Sequence, residues 1–227
     1  MPIGSCEQHG PYLPIDTDLK IAQLLATKLN STFLKSETFL LDAIPFSCSW
    51  EHKGLGTIAI NVSTLATIIH DIIYSLKSWL TPSLFVFINW HGGNGILSSL
   101  ATEISATQNI PTIVIPQLDQ IKQLTNKITT AKDVHAGAVE TSIIQAFWPQ
   151  LIQTSITNDF HDEPNIGEIK VQTVLQSLGS YAITKNGIWG APEDANVTFG
   201  LKVIEILVEN MHTQIVELLK IIQTINK

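Results

Sequence analysis

Residues 83–95 read SLFVFINWHGGNG, and the two halves of this stretch follow different rules. Leu84 to Ile88 is an unbroken apolar run, the mark of a strand covered on both faces, as in a parallel sheet. It empties into Trp90, His91, Gly92, Gly93 and Asn94, and then into a helix from Ile96 to about Thr107. Strand, polar turn and helix form the repeating unit of α/β sheets, whose sites gather beyond the C-terminal ends of the strands. An imidazole at the end of a central strand faces the crevice where ligands bind.

The same alternation extends in both directions. Upstream, Leu19, Ile21, Ala22, Leu25 and Leu29 have the spacing of an amphipathic helix, capped by Asp16 or Thr17. TFLLDAIPF (38–46) reads as a buried strand, SCSWEHKGLGT (47–57) as a glycine-containing loop and IAIN (58–61) as a short strand. A helix capped by Ser63 runs to about Trp79 and is broken by Pro82. Downstream, PTIVIP (111–116) repeats the strand pattern, and DVHAGAVETSIIQAFW (133–148) passes from loop to helix. GSYAIT (179–184) reads as a late strand, GIWGAPEDA (187–195) as a turn-rich loop, and residues 194–225 as a long closing helix. The expectation is one domain over residues 1–227, a three-layer α/β/α fold with a mostly parallel central sheet.

The 227 residues are 44% hydrophobic and only 15% charged, with a mean hydropathy of +0.22. That balance suits a well-buried α/β protein, or one that hides further surface in an oligomer. No apolar run is long enough to span a bilayer, and no basic segment leads into an apolar one as in a signal peptide. Two cysteines, Cys6 and Cys48, do not make a disulfide framework and fit a reducing cytoplasm. A net charge of −7 without basic clusters argues against a nucleic-acid surface and for a small-molecule substrate.

Against that low charge, GSCEQHGPYLPIDTD (4–18) concentrates Glu7, His9, Asp16 and Asp18 in a segment too broken to be a helix. Glu7 and His9 are two apart and point to one face of an extended chain, and the Gly10–Pro14 bend returns Asp16 or Asp18 towards them. Such a set is a plausible grip on a divalent metal. The alternative is a hydrogen-bonded polar loop capping the first helix. His135 and Glu140 lie five apart across a loop-to-helix junction, where Glu140 also fits as a first-turn carboxylate favoured by the helix dipole. His52 is either a site residue or a loop histidine that stabilises its own turn. His70, His161 and His212 fall in helical or linker contexts away from these clusters.

Taken together, PIGSCEQHGPYLPIDTD, NWHGGN and DVHAGAVETS resemble the three signature segments of the creatininase family of metal-dependent amidohydrolases. SWEHKGLGT and GIWGAPEDANVTFG resemble its two weaker motifs, in the family's order and over essentially the whole chain. The resemblance implies a site for two divalent metals, drawn from Zn²⁺, Mn²⁺ or Fe²⁺. Glu7 would bind one, His9 the other, Asp18 rather than Asp16 would bridge both, and His91 would complete the first set. A shared hydroxide would attack the carbonyl or amidine carbon, with His135 passing a proton to the leaving nitrogen. Ser49, His52, Trp90, Gly92, Gly93 and Asn94 would contact the substrate. Creatininase itself carries an acidic ligand where this chain has Gly93, which counts against creatinine and leaves Glu140 to complete the second metal. Tyr12 stands where the family usually has His, a change expected to alter the pocket rim. Ala138 replaces a frequently acidic position, and the KGLGT loop is one residue shorter than usual. Relatives place a helix and most of a strand before the first motif, so either the first strand is very short or the chain is truncated.

The function expected from this resemblance is hydrolysis of a non-peptide C–N bond in a cyclic amide, amidine or formamide. Family members also include deformylases and a peptidase of redox-cofactor maturation. A homo-oligomer follows as well, commonly a hexamer in the family, and the several apolar stripes of the last helix point the same way. The competing class is a non-catalytic metal-binding or assembly protein on the same fold. A doubly wound nucleotide binder would need a glycine-rich phosphate loop after its first strand, and this sequence has none.

Overall fold

The computed structural model describes residues 1–130, 132–153 and 165–225. At its centre, β2 (Phe85–Asn89) is flanked by β1 (Pro2–Ile3) and β3 (Thr112–Ile115), both parallel to it. Pro2 pairs with Ile88, and Phe85 to Ile88 pair in step with Thr112 to Ile115. Parallel neighbours require crossovers, and helices supply them: α1 (Thr17–Asn30) and α2 (Val62–Lys77) between β1 and β2, then α3 (Ile96–Gln108) between β2 and β3.

Alternation along β2 divides the core in two. Phe85 and Phe87 point to a layer made with Leu65, Ile69 and Ile73 of α2 and Leu97, Leu100 and Ile104 of α3. Ile88 points to the opposite layer, with Ile21 and Leu25 of α1. That layer also receives α5 (Ala138–Phe147) and the closing helix α7 (Val197–Ile225). On α7 it is Val203, Ile204, Leu207, Met211 and Ile215 that face inward, a single helical stripe. Two short helices, α4 (Leu118–Thr125) and α6 (Val171–Ser177), were not expected from the sequence.

Three expected strands are absent. In 38–46 only Ile44 pairs, bridging to Ile3, while Phe39 and Leu40 are exposed. The partner strand is two residues long, so the ladder has nowhere to continue. Ile58 and Ile60 each donate one backbone hydrogen bond, to Cys6 and Ser47, and build no ladder. GSYAIT instead forms a turn of 3-10 helix at Ser180–Ala182, after Gly179 at φ +71°. There Ser180 serves a histidine of the site rather than a sheet. Tyr12 is 1% exposed and belongs to the core, which corrects its expected effect on the pocket rim.

Candidate metal centre

The turn after β1 sends Glu7 and His9 across the end of the sheet. The Glu7 N–H donates to the Ile15 carbonyl (2.9 Å), which closes the Gly10–Pro14 bend and brings the first turn of α1 beside the pair. Asp18, in that turn, points inward, whereas Asp16 points away and pairs with Lys20 at 2.8 Å. His91 follows β2 directly. Asp133 anchors the start of α5 by accepting the Ala138 and Val139 N–H groups at 2.8 and 3.1 Å, which aims Glu140 at the same point.

The resulting geometry is tight. His91 Nδ1 lies 3.1 Å from both Glu7 Oε2 and Asp18 Oδ2. His9 Nε2 lies 3.3 Å from Asp18 Oδ1 and 3.7 Å from Glu140 Oε2. The two oxygens of Asp18 therefore face two different imidazoles. Glu140 is held in place by Trp90, whose indole N–H donates to its Oε1 (3.2 Å), and by the Ala136 N–H, which donates to its Oε2 (2.8 Å). His52 Nε2 and His135 Nδ1 approach Glu7 Oε1 at 3.5 and 3.6 Å.

Burial of so much charge needs compensation. For Glu7 burial would raise the carboxyl, but the His91 and His52 imidazoles outweigh it and hold it down to about 2. For His9 burial would favour the neutral ring, yet Asp18, Glu140 and Glu7 raise it to about 10. His91 is likewise raised, against its burial, by Glu7 and Asp18. His135 goes the other way, pushed down to about 4 by burial and the neighbouring His9. Burial lifts Glu140 to about 7.

Four buried side-chain atoms here have no hydrogen-bond partner: Glu7 Oε1 and Oε2, His9 Nε2 and Asp18 Oδ2. Orphaned buried acceptors and an orphaned imidazole nitrogen, aimed at one point, are what a divalent cation satisfies. The ligand atoms of Glu7, His9 and Asp18 lie within 4.8 Å of one another, as do those of His9, His135 and Glu140 and those of Glu7, His52 and His135. The donor set, imidazole nitrogen with carboxylate oxygen, suits zinc, manganese or iron.

A cavity of about 390 Å³ opens onto these groups, and its wall includes His52, Trp90, Gly92, Gly93 and His135. Two residues expected at the substrate lie behind that wall instead. Asn94 accepts the Cys48 N–H and donates to Asn89, bracing the turn after β2. Ser49 is fully buried against Ser5 and lies 3.3 Å from His91 Nε2. His70 sits by Glu103 and His212 by Thr32, both remote from the centre, and His161 lies outside the described residues.

Sequence reading missed four contributors. Glu51 lines the cavity, with Oε1 at 3.4 Å from His91 Nε2, and Gln172 and Gln176 reach it from α6. Gln8, between Glu7 and His9, touches His52. Position in the motifs was the available signal for Glu51 and Gln8, and nothing in the sequence pointed to α6.

Comparison with known proteins gives the family and the fold. The family model for creatininase (creatinine amidohydrolase) matches residues 1–215. A mycofactocin precursor peptide peptidase of Mycolicibacterium smegmatis is 28% identical over 207 residues, 89% of this chain and 78% of that protein. A 2-amino-5-formylamino-6-ribosylaminopyrimidin-4(3H)-one 5'-monophosphate deformylase of Methanothermus fervidus is 26% identical over 219 residues, 94% of this chain and 81% of its own. Two solved creatininases, a mutant in a zinc–zinc form and a manganese form, share the fold. Each has a TM-score of 0.74 at 18% identity over 95% of this chain and 88% of theirs.

Proposed function

The chain belongs to the creatininase family, and from that premise we propose that it is a hydrolase that uses two divalent cations to cleave a C–N bond of a small amide-type substrate. The observation that carries this reading is the set of orphaned atoms on Glu7, His9 and Asp18. Glu7, His91 and one oxygen of Asp18 would hold one cation, and His9, Glu140 and the other oxygen of Asp18 the second. Cations held there lower the pKa of water and polarise a carbonyl, the chemistry that amide hydrolysis needs.

The protein's own groups divide the remaining work. His135 has its Nε2–H bonded to the Gln8 carbonyl at 2.6 Å, so its Nδ1 lone pair faces inward to accept a proton and return it to the leaving nitrogen. Its low pKa keeps that lone pair free at neutral pH. Glu140 takes the place of the acid that creatininase carries at the Gly93 position. A Cβ at Gly93 would fall 2.2 Å from the Cys48 carbonyl oxygen and 2.0 Å from Glu51 Oε1, so no acidic side chain fits there.

A cyclic amide, amidine or formamide is the favoured substrate class. The 390 Å³ cavity is at the small end of ligand sites, and one relative is a deformylase. A peptide end is the second reading, supported by the peptidase among the relatives. Residues 1–227 act as one domain in this reading, with both apolar layers built on one sheet. We also propose a homo-oligomer, since Leu201, Ile221 and Ile225 of α7 are exposed apolar residues, and a cytoplasmic location, since Cys6 and Cys48 are free thiols. No described helix is long and apolar enough to cross a membrane. The test is metal analysis of protein purified without chelator, followed by a screen of formamides, lactams, amidines and short peptides on zinc- or manganese-loaded enzyme. Absence of bound metal and of metal-induced stabilisation would favour a non-catalytic protein. Light scattering reads the assembly, and a stable species near 25.0 kDa would exclude an obligate oligomer.

A further inference from the structure

Four imidazoles face the metal centre. A neutral imidazole carries one N–H and one lone pair, so the partner of its outer nitrogen decides what the inner nitrogen offers. His9 Nδ1 lies 3.0 Å from the Glu7 carbonyl, His91 Nε2 lies 3.0 Å from the Cys48 carbonyl, and His135 Nε2 lies 2.6 Å from the Gln8 carbonyl. A carbonyl only accepts. These three outer nitrogens therefore carry a hydrogen, and in the neutral ring the lone pair of each points inward; on His9 and His91 that inner nitrogen is where a proton and a cation compete.

His52 is the reverse case. Its outer nitrogen, Nδ1, lies 2.9 Å from Gln8 Nε2, an amide nitrogen that only donates. The amide cannot be turned round, because its Oε1 accepts the Gly10 N–H (3.2 Å) and its Nε2 also donates to the Gly187 carbonyl (3.1 Å). Gly187, at φ +88°, brings that carbonyl so close that a Cβ would fall 1.5 Å from Gln8 Oε1. The Ser180 hydroxyl, 2.8 Å from His52 Nδ1, rotates to donate either to it or to the Glu51 carbonyl. His52 Nδ1 is left as the acceptor, and its hydrogen sits on Nε2, facing inward.

We infer that Gln8 sets the proton positions of two neighbouring imidazoles: its side-chain amide makes His52 a donor at Nε2, and its backbone carbonyl makes His135 an acceptor at Nδ1. The two rings lie 3.9 Å apart between centroids, and their inner nitrogens approach the same oxygen, Glu7 Oε1. His52 is thus excluded as a cation ligand, although its nitrogen clusters with Glu7 and His135. Its N–H faces Glu7 Oε1 across 3.5 Å, while Glu7 Oε2 lies 3.1 Å from His91 Nδ1. Gln8 and His52 are positioning residues. Their effect on metal binding rests on the hydrolase reading above, whereas the proton positions do not.

Long-range ¹H–¹⁵N correlation spectra of the zinc-loaded and metal-free protein read the proton positions directly. The expected result is a hydrogen on Nε2 of both His52 and His135, with a lone-pair shift at His52 Nδ1. A hydrogen on His52 Nδ1, or a His52 Nε2 shifted by zinc, would overturn the inference. Gln8→Glu replaces the donor with an acceptor and should move the His52 hydrogen to Nδ1 while His135 keeps its own. An unmoved His52 hydrogen in that variant would remove Gln8 from its role. In zinc titrations, His52→Ala and His52→Asn should lower affinity about 10–100-fold, the usual cost of losing a group that orients a ligand. His52→Gln, whose amide N–H reaches the place of Nε2, should stay close to the parent. Loss of zinc as complete as in Glu7→Ala would make His52 a ligand, and unchanged affinity in His52→Ala would end its positioning role. A chain that took up no zinc at all would bring down the hydrolase reading, and the metal-free spectra would still decide the proton positions.

Discussion

On one face of the sheet, Phe85 and Phe87 pack against Leu65 and Ile69 of α2 and Leu97 and Ile104 of α3. On the other, Ile88 and Ile115 pack against Ile21 and Leu25 of α1, Ile143 and Ile144 of α5, and Leu207 and Met211 of α7. Both layers are built of buried apolar side chains, and they differ at the helix ends. α1 and α5 carry Asp18 and Glu140 in their first turns, where the helix dipole favours a carboxylate, while α2 and α3 have no acid there. Two of the proposed cation ligands therefore ride on helices of one layer only. A packing error in that layer is therefore expected to move Asp18 and Glu140, whereas the same error in the other should leave these two acids in place.

The sharpest test of that asymmetry is Asp18→Ala. Asp18 is 2% exposed and divides its oxygens between His9 and His91, so its removal should strip both cations and all activity. Metal content measured after gel filtration decides it. Retention of two cations by the variant would move the bridge elsewhere.

His135→Ala comes next. With its lone pair facing inward and no place in the proposed ligand sets, it should leave the metal content intact and slow turnover about 10²–10⁴-fold. Loss of metal in this variant would make His135 a ligand, as its grouping with His9 and Glu140 allows.

Zinc uptake should also depend steeply on pH. Protons and cations compete for His9, raised to about 10, for His91, also raised, and for Glu140, raised to about 7. Each proton displaced makes affinity climb about tenfold per pH unit until the pH passes that group's pKa. For the metal-free protein the sign for His9 is the opposite. Its pKa is raised on folding, so its contribution to stability is complete below about 6.5 and fades as pH rises towards about 10. Calorimetry in buffers of different ionisation enthalpy counts the protons released, and uptake without release would contradict the assignment.

How much of this was legible in the sequence follows from what each part depends on. β2 and β3 were readable because both faces are covered, which leaves an apolar run. The ligand candidates were readable because charge is scarce, so Glu7, His9 and Asp18 stood out in a bent segment. The 38–46 segment misled because its apolar residues resemble a strand, while a two-residue partner and Pro45 leave only Ile44 paired. Gln8 stood inside a motif, but its role was not readable from it, because that role depends on Gly187 and His52, 179 and 44 positions away. The choice between Asp16 and Asp18 came from the family resemblance, since an irregular bend has no periodicity to say which acid turns inward.

Truncations in the two apolar layers separate packing from ligand placement. Leu207→Ala and Leu65→Ala each remove a fully buried side chain and should cost about 2–5 kcal/mol, read as a shift in the denaturant midpoint. Only Leu207→Ala should also weaken zinc binding in the fully folded population, because α7 packs against α5, which carries Glu140. Equal zinc affinity in both variants would mean that the ligands are held locally, by Asp133 and Trp90, and not by the layer.

The smallest effect belongs to Asp16→Ala, and it tests the same asymmetry within one turn of chain. Asp16 caps α1 by position but makes no side-chain capping hydrogen bond, and its carboxylate pairs with Lys20 at 2.8 Å. Such partly exposed i,i+4 pairs contribute about 0.3–0.5 kcal/mol, because water and salt screen them and the long lysine chain loses freedom. Asp16 does not face the imidazoles that Asp18 faces, although only Thr17 separates them. The expected outcome is therefore a stability change below about 1 kcal/mol with metal content and turnover unchanged. A loss of metal in Asp16→Ala would show that the bend, rather than the first turn of α1, delivers the bridging carboxylate, and would exchange the roles of the two acids.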